Sequence, residues 1–287
     1  FVAVEQAREL IDRWDARAEL ATRDRIIRTE KAWVEGYPVP IDFVPLKRQV
    51  KIGVLGRQGM IYAHWEDEEA KRIDDALQLV QPMEGGPRSA AISGGWAAIE
   101  SLLTEAGEPE HLAADRLSAI IACSFPRAEL TTLSYYHSKN ASDSLAKSLA
   151  DEEDNLKRAR TMADAIMKGD SISGRGPQDE AAVERMRQLL SDPRASFERV
   201  RRYVGIALNR LYRQRNLLLH GGRVSGERRQ EALSTAPPLI GAGLDRIVDA
   251  WFTDGTPPIE LAARAALGID LVGTSGGRHP TELLEPL

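Results

Sequence analysis

The stretch SFERVRRYVGIALNRLYRQRNLLLHGG, residues 196–222, decides the fold of this chain because it predicts one long amphipathic helix. Its apolar residues recur every three or four positions, which is the spacing of a buried helical stripe. The members of that stripe are Phe197, Val200, Val204, Leu208, Leu211 and Leu218. Two glycines close the stretch and are typical of a helix end, so the helix is expected to run from Ser196 to His220. Arg215, Asn216 and His220 therefore fall in its last two turns.

Positive charge is concentrated around this helix. The chain has 287 residues and a net charge of −5, yet residues 194–229 hold ten arginines and only two acidic residues. That window carries +8 and leaves −13 for the remainder. A basic island in an acidic protein is typical of a phosphate-binding surface. A solvated arginine-rich helix face would have the same composition, and charge alone leaves both interpretations open.

The overall composition is that of a globular protein, with 43% hydrophobic and 28% charged residues. No apolar run approaches the ~18 residues that a membrane-spanning helix needs, and the first residues do not resemble a signal peptide. Cys123 is the single cysteine, which excludes an internal disulfide and suits a reducing compartment. We therefore expect a cytoplasmic protein with no membrane partner.

Residues 1–65 are expected to form an N-terminal region distinct from the rest of a mainly α fold. Apolar residues at helical spacing predict a helix over residues 3–35, which the prolines of GYPVPIDFVP then end. Alternating β-formers over residues 43–65, around the turn Gly56-Arg57-Gln58-Gly59, predict a small β-hairpin.

Residues 66–287 are expected to form a helical bundle with a tail from about residue 256. A charged segment at about 141–193, split by the loop GDSISGRGPQ, predicts a helical hairpin inserted into the bundle. That loop lacks the Gly-Lys-Ser/Thr ending of a phosphate-binding loop, so a plain linker is the better interpretation. Pro126 predicts an interruption of one helix, and Pro237-Pro238 a disturbance of another.

The residue types at the end of the 196–220 helix suit acid–base chemistry on a phosphate. A turn of 100° per residue places Arg215 in the next slot of the buried stripe, while Asn216 and His220 share a neighbouring face. The negative end of the helix dipole favours the imidazolium form of His220, which can donate a proton to a leaving oxygen. Arg215 can stabilise a pentacovalent phosphate, and Asn216 can orient either partner. This chemistry cleaves RNA through its own 2′-hydroxyl and needs no metal or other cofactor.

An arginine separated from a histidine by four to six residues is weak evidence, because Arg57–His64 and Arg213–His220 have the same format as Arg215–His220. The sharper feature is the combination of Asn216 directly after Arg215, the amphipathic helix before it, the Gly-Gly after it and the surrounding charge. The histidines elsewhere have no companions at metal-ligand spacing, so no metal site is expected. Tyr135-Tyr136-His137 is the other aromatic candidate, and core packing is its commoner explanation.

YRQRNLLLHGG resembles the Arg-(polar)-x-x-x-His signature of the HEPN superfamily of helical-bundle ribonucleases, and most closely that of the ApeA-like HEPN group. That group shows a Trp-x-x-x-Glu pattern on an upstream helix, which GGWAAIESLL matches with Trp96 and Glu100. The resemblance covers about residues 67–251, without the 141–193 insertion. It implies that Arg215 and His220 are catalytic, that Asn216 is supportive, and that two copies form a homodimer with a shared active site. Many such proteins are toxins or anti-phage defence effectors.

The sequence therefore predicts a HEPN-like endoribonuclease that leaves 2′,3′-cyclic phosphate ends. The RNA-binding residues expected around the site are Arg202, Arg210, Arg213, Arg223 and, on another helix, Arg127. A regulatory protein partner, the N-terminal region or the insertion is expected to restrain the activity. Two alternatives stay open: a HEPN-like nucleic-acid-binding or assembly module without catalysis, and a pure protein-interaction bundle.

Overall fold

The computed structural model describes residues 2–22, 31–42, 49–57, 59–62, 64–221 and 226–286. In these residues the protein is mainly helical, as predicted, and two short strands pair antiparallel. The strands are β1 (Lys31–Ala32) and β2 (Ile41–Asp42), and a 3₁₀ turn lies at Met60–Tyr62. The helices are α1 (Val2–Thr22), α2 (Gly53–Arg57), α3 (Glu68–Val80), α4 (Pro82–Gly85), α5 (Arg88–Leu103), α6 (Leu112–Asn140), α7 (Ser144–Asp151), α8 (Asn155–Lys168), α9 (Pro177–Ser191), α10 (Pro193–Leu219), α11 (Gly226–Asp254) and α12 (Pro258–Leu271).

The N-terminal helix is shorter than its predicted span of residues 3–35. Helix α1 ends at Thr22, residues 23–30 lie outside the described part, and β1 begins at Lys31. Gly36 takes φ +84° in the turn between the strands, a left-handed conformation that glycine adopts without strain. The prolines of this segment were expected only to end a helix. Pro38 and Pro40 lie instead in the connection between β1 and β2.

The hairpin predicted over residues 43–65 is wrong, because residues 53–57 form helix α2. Residues 43–48, 58 and 63 of that span lie outside the described part. Of the described apolar residues there, Val50, Ile52, Val54, Leu55 and Trp65 pack on the bundle, whereas Ile61 and Tyr62 are exposed. Val54 is fully buried, and its N–H donates to Oδ1 of Asp245 on α11 at 2.9 Å. Packing against α11 therefore overrides the local β pattern.

Helix α6 lies at the centre of the bundle, in contact with every helix from α5 to α12. It is unbroken from Leu112 to Asn140, so the interruption predicted at Pro126 is wrong. A proline inside a helix removes one backbone donor, and here Pro126 is buried within a helix that continues to Asn140. Helix α11 likewise continues through Pro237 and Pro238.

The segment at 141–193 contains three helices, α7, α8 and α9, where a two-helix hairpin was predicted. The charged stretch is divided by two aspartates that cap helix N-termini. The side chain of Asp143 accepts a hydrogen bond from Ala146 N at 2.8 Å, and that of Asp154 accepts one from Leu156 N at 2.7 Å. Helix α8 packs on α6, so the segment is part of the bundle surface.

The core lies between α5, α6, α10 and α11. Its fully buried side chains include Trp96, Ile99, Ile120, Phe197, Leu208 and Ile247. This packing holds the C-terminal half of α10 against α5, and so positions the candidate site. None of the described helices combines the length and apolar character needed to cross a membrane.

Candidate active site at the end of helix α10

Helix α10 has the buried stripe and the end that the sequence predicts. The buried residues are Phe197, Val204, Leu208 and Leu211, with Val200 and Leu218 packed against the core. Pro193 occupies the first turn, where its missing N–H is harmless. The N–H of His220 still donates to Asn216 O at 3.0 Å, and Gly221 takes φ +74° to end the helix.

Arg215 faces the bundle and is held by two carboxylates. Its side chain is 20% exposed. The Nη1 atom donates to Glu110 Oε2 at 2.9 Å and to Asn216 Oδ1 at 3.0 Å. The Nη2 atom lies 3.5 Å from Oε2 of Glu100. Helix α5 and the loop before α6 therefore each contribute one acid to the guanidinium.

The aromatic pair beneath this cluster fixes α5 against α10. Trp96 is fully buried, and its ring centroid lies 4.6 Å from that of Tyr212, one turn before Arg215. Glu100 is one turn after Trp96 on α5, so the same contact brings its carboxylate to the guanidinium. The fold thus joins the Trp-x-x-x-Glu pattern of α5 to the polar end of α10.

Burial raises the pKa of the Glu100 carboxyl above its usual value of 4.5, and the neighbouring charge of Glu110 raises it further. Arg215 opposes both effects, and Trp96 adds a smaller opposing contribution. The positive charge of Arg215 is therefore the main influence that lowers the pKa of Glu100. Two carboxylates share one guanidinium here.

His220 lies apart from Arg215 in the single chain. Its side chain is exposed and makes no hydrogen bond or ion pair with the described residues. Five residues of helix turn the chain through about 500°, so the two side chains leave α10 about 140° apart. The structure brings Arg215 together with Asn216, and does not bring His220 into the same cluster.

Four of the five arginines predicted to bind RNA lie in the described residues, in three different settings. Arg202 and Arg213 are exposed and form no ion pair among the described residues, whereas Arg210 lies 3.2 Å from the carboxylate of Glu231. Arg223 lies outside the described part. Arg127 pairs with Glu285 and lines a cavity against the C-terminal tail, so it has a structural partner there.

The Tyr135-Tyr136-His137 segment has a structural role. His137 is fully buried, and its Nδ1 accepts the N–H of Ser173 at 3.0 Å, which leaves Nε2 to donate to Asp143 at 3.2 Å. The two tyrosine rings are covered by the guanidinium groups of Arg158 and Arg175, 3.9 and 3.7 Å from their centroids. These contacts attach the 169–176 loop to α6.

The described residues contain no group of three or more His, Cys, Asp or Glu side chains that could hold a metal ion. Burial raises the pKa of the Cys123 thiol far above its ordinary value, which keeps it protonated.

Sequence reasoning missed Glu110 and Tyr212. Glu110 lies just before α6, and Tyr212 lies beside the buried stripe of α10. No local sequence pattern pairs Glu110 with Arg215 or Tyr212 with Trp96. The comparisons with known proteins add no further residue: no protein-family model, no curated protein and no solved structure matches this chain.

Proposed function

We propose that this chain is a metal-independent endoribonuclease of the HEPN type that acts as a homodimer. The observation that supports it most is the placement of Arg215 at the end of α10, with His220 exposed just beyond. Arg215 is hydrogen-bonded to Asn216 and Glu110 and forms an ion pair with Glu100. An arginine that already binds carboxylate oxygens has the geometry to bind phosphate oxygens. The resemblance of YRQRNLLLHGG to the HEPN signature adds the reaction type.

In the proposed reaction the 2′-oxygen of a ribose bonds to the adjacent phosphorus, and the bond from phosphorus to the 5′-oxygen breaks. A neutral histidine takes the proton of the 2′-hydroxyl, and a protonated histidine gives one to the departing 5′-oxygen. The products are a 2′,3′-cyclic phosphate and a 5′-hydroxyl. Each chain supplies one His220, so a second copy related by a twofold axis supplies the other. Arg215 balances charge on the phosphoryl oxygens.

The test is cleavage of end-labelled RNA in EDTA by the purified protein. His220→Ala and Arg215→Ala are expected to lower the rate by at least about 100-fold, because each removes proton transfer or charge stabilisation. His64→Ala and Arg187→Ala, at exposed positions elsewhere, serve as matched controls. Circular dichroism of each variant separates lost chemistry from lost folding. Unchanged cleavage by both site variants would end the proposal.

A non-catalytic nucleic-acid-binding module is the second candidate. The observation favouring it is the separation of His220 from Arg215, together with the two carboxylates that occupy Arg215 in the single chain. It predicts RNA binding that weakens steeply with salt and no cleavage in any state of assembly. A cross-linked dimer that cuts RNA would exclude this candidate.

The biological role proposed with the nuclease is that of a toxin or anti-phage effector in the cytoplasm, restrained by a regulatory partner, the N-terminal region or the 141–193 segment. Expression in bacteria is expected to slow growth in a His220-dependent manner once the restraint is removed. The N-terminal region or the 141–193 segment is then deleted from the wild type and from His220→Ala. If bacteria grow equally well with both shortened proteins, the proposed restraint by these segments is contradicted.

A further inference from the structure

One side of α10 exposes arginines and apolar groups together. We call it the arginine face, formed by Arg199, Arg202, Tyr203, Ile206, Arg210 and Arg213. These residues follow the three- and four-residue spacing of a single helix side. Tyr203 is 61% and Ile206 is 47% exposed, and Arg199, Arg202 and Arg213 form no ion pair among the described residues. Unpaired cations beside exposed apolar groups fit a strand that carries phosphates and flat bases.

A cavity of about 290 Å³ opens beside this face, between α10 and the first turns of α6. Two of its charged walls, Arg201 and Glu198, lie 3.8 Å apart and pair with each other. The other walls are Asp115, Ser118, Arg202, Gly205, Ile206 and Asn209. The Asp115 carboxylate and the Arg202 guanidinium border the same space, yet neither has an ion-pair partner in the described part of the chain. A ligand with a hydrogen-bond donor and an acceptor on one edge would satisfy both.

Gly205 keeps this cavity open. Glycine in a helix interior weakens the helix relative to alanine, so it needs a reason. Close packing supplies that reason at Gly243, where a Cβ would lie 2.3 Å from Leu117 Cδ1. At Gly205 the nearest atom to such a Cβ would be Ser118 Oγ at 3.8 Å, an ordinary contact. Packing therefore does not require this glycine, and its missing side chain leaves space in the cavity wall.

From this arrangement we infer that the cavity binds an amino-bearing nucleobase of single-stranded RNA whose phosphates lie along the arginine face. Asp115 accepts the exocyclic amine, and Arg202 donates to a ring nitrogen or carbonyl oxygen of the same base. Cytosine, adenine and guanine carry such an amine, and uracil does not. Ile206 covers one side of the base, and the exposed ring of Tyr203 stacks on its neighbour. A duplex would hide these base edges, so the strand is single.

The inference deepens the proposed nuclease and rests on it only for the choice of RNA as ligand. Gly205 and His220 are fifteen residues apart on α10, about 22 Å along the helix axis. The pocket would therefore hold a base several nucleotides from the cut, and would set where His220 meets the strand.

The experiment measures binding of fluorescent oligocytidylate and oligouridylate of equal length to full-length His220→Ala protein, which does not cut them. Oligocytidylate is expected to bind about tenfold more tightly. Asp115→Asn should abolish that preference. Gly205→Leu should lower the affinity for oligocytidylate to that for oligouridylate. Gly205→Ala, which is expected to fold at least as stably as the parent, should give a smaller loss in the same direction. An unchanged melting temperature confirms that each variant is folded.

The arginine face has its own readouts. Tyr203→Ala should weaken the binding of both oligomers about tenfold. Tyr203→Phe should bind them as tightly as the parent does, because stacking needs only the ring. Arg199→Ala should reduce the slope of log affinity against log salt by about 0.7. Tyr62→Ala and Arg187→Ala, at exposed positions elsewhere, should change neither quantity.

The pocket assignment would be overturned if the His220→Ala parent bound the two oligomers equally. It would also be overturned if Asp115→Asn and Gly205→Leu left oligocytidylate binding unchanged. Cytidine monophosphate that competes as strongly as the oligomer would make a free nucleotide the ligand and overturn the RNA assignment. Absence of RNA cleavage by the protein with His220 intact, together with a base preference in the His220→Ala protein, would refute the nuclease and leave the pocket standing. Cleavage that depends on His220 without a base preference would refute the pocket alone.

Discussion

Arg215→Gln is expected to destabilise the protein through charge, because it removes the guanidinium that lies between Glu100 and Glu110. The side chains of Arg215 and Glu100 are 20% and 23% exposed, so their pair is partly buried. Leaving such a carboxylate without its cation costs about 1–3 kcal/mol. Glu110 is 43% exposed and should add less than about 1 kcal/mol. A total near 2 kcal/mol lowers the melting temperature by about 3 °C in a chain of 287 residues.

The size of this loss should depend on pH. The pKa of Glu100 in the folded protein is raised above 4.5, so the native state binds its proton more tightly than the unfolded state does. The stability that Glu100 contributes is therefore complete below pH 4.5 and is lost as pH rises through the folded pKa. Removing Arg215 raises that pKa further. The penalty of Arg215→Gln should be small near pH 4 and complete at neutral pH.

Urea unfolding followed by circular dichroism between pH 4 and pH 8 measures this penalty, and Arg215→Gln/Glu100→Gln tests its origin. The double variant should recover about 1 kcal/mol at neutral pH, because the uncompensated carboxylate is gone. Arg187→Gln, which breaks an exposed pair with Glu184, is the control and should change stability by less than about 0.5 kcal/mol. A penalty that is the same at both pH extremes and in the Glu100→Gln background would refute the electrostatic argument.

Three further substitutions test the structure around the site. Hydrogen bonds from the Arg116 guanidinium and then from the Glu105 N–H lower the pKa of Glu108 from 4.5 to about 2. The stability that Glu108 contributes is therefore present above pH 4.5 and lost toward pH 2, and Glu108→Gln should flatten that part of an acid-unfolding curve. Gly94→Ala on α5 places a Cβ 2.2 Å from the Leu79 carbonyl oxygen of α3. Calorimetry should show that the free energy of unfolding falls by at least about 1 kcal/mol. An unchanged free energy of unfolding would contradict the close approach of α3 and α5. His137→Leu leaves the N–H of Ser173 without its acceptor, which should cost about 1–3 kcal/mol and speed limited proteolysis of the attached loop.

Helix α10 is the part of the fold that the sequence predicted well, whereas the helix predicted over residues 3–35 ends at Thr22. The stripe of α10 and its end at His220 depend on local spacing and on Gly221, and both are readable without tertiary information. Pro126 failed as a helix breaker, because α6 continues through it while packed on every helix from α5 to α12. Residues 53–57 failed as a strand because Val54 bonds to Asp245, nearly two hundred residues away.

The candidate site was predictable only where it lies on one helix. Helical turning placed Arg215 toward the bundle and Asn216 beside it. The partner Glu110 lies 105 residues before Arg215 and has no local pattern that would pair them. The same limit applies to the cavity beside Gly205, since its other wall comes from the start of α6. Contacts between helices depend on how their faces meet, which spacing along one helix does not specify.

The two carboxylates that contact Arg215 would respond differently when RNA binds to the proposed nuclease. A phosphate oxygen would have to take the place of a carboxylate oxygen at the guanidinium, because both compete for the same N–H groups. Glu100 is fixed on α5 next to a fully buried tryptophan, whereas Glu110 is more exposed and lies in the loop before α6. Glu110 is therefore the group that must leave, and Glu100 would keep the guanidinium aimed. Assembly of a dimer that draws Glu110 away would then couple pairing of two chains to binding of the scissile phosphate.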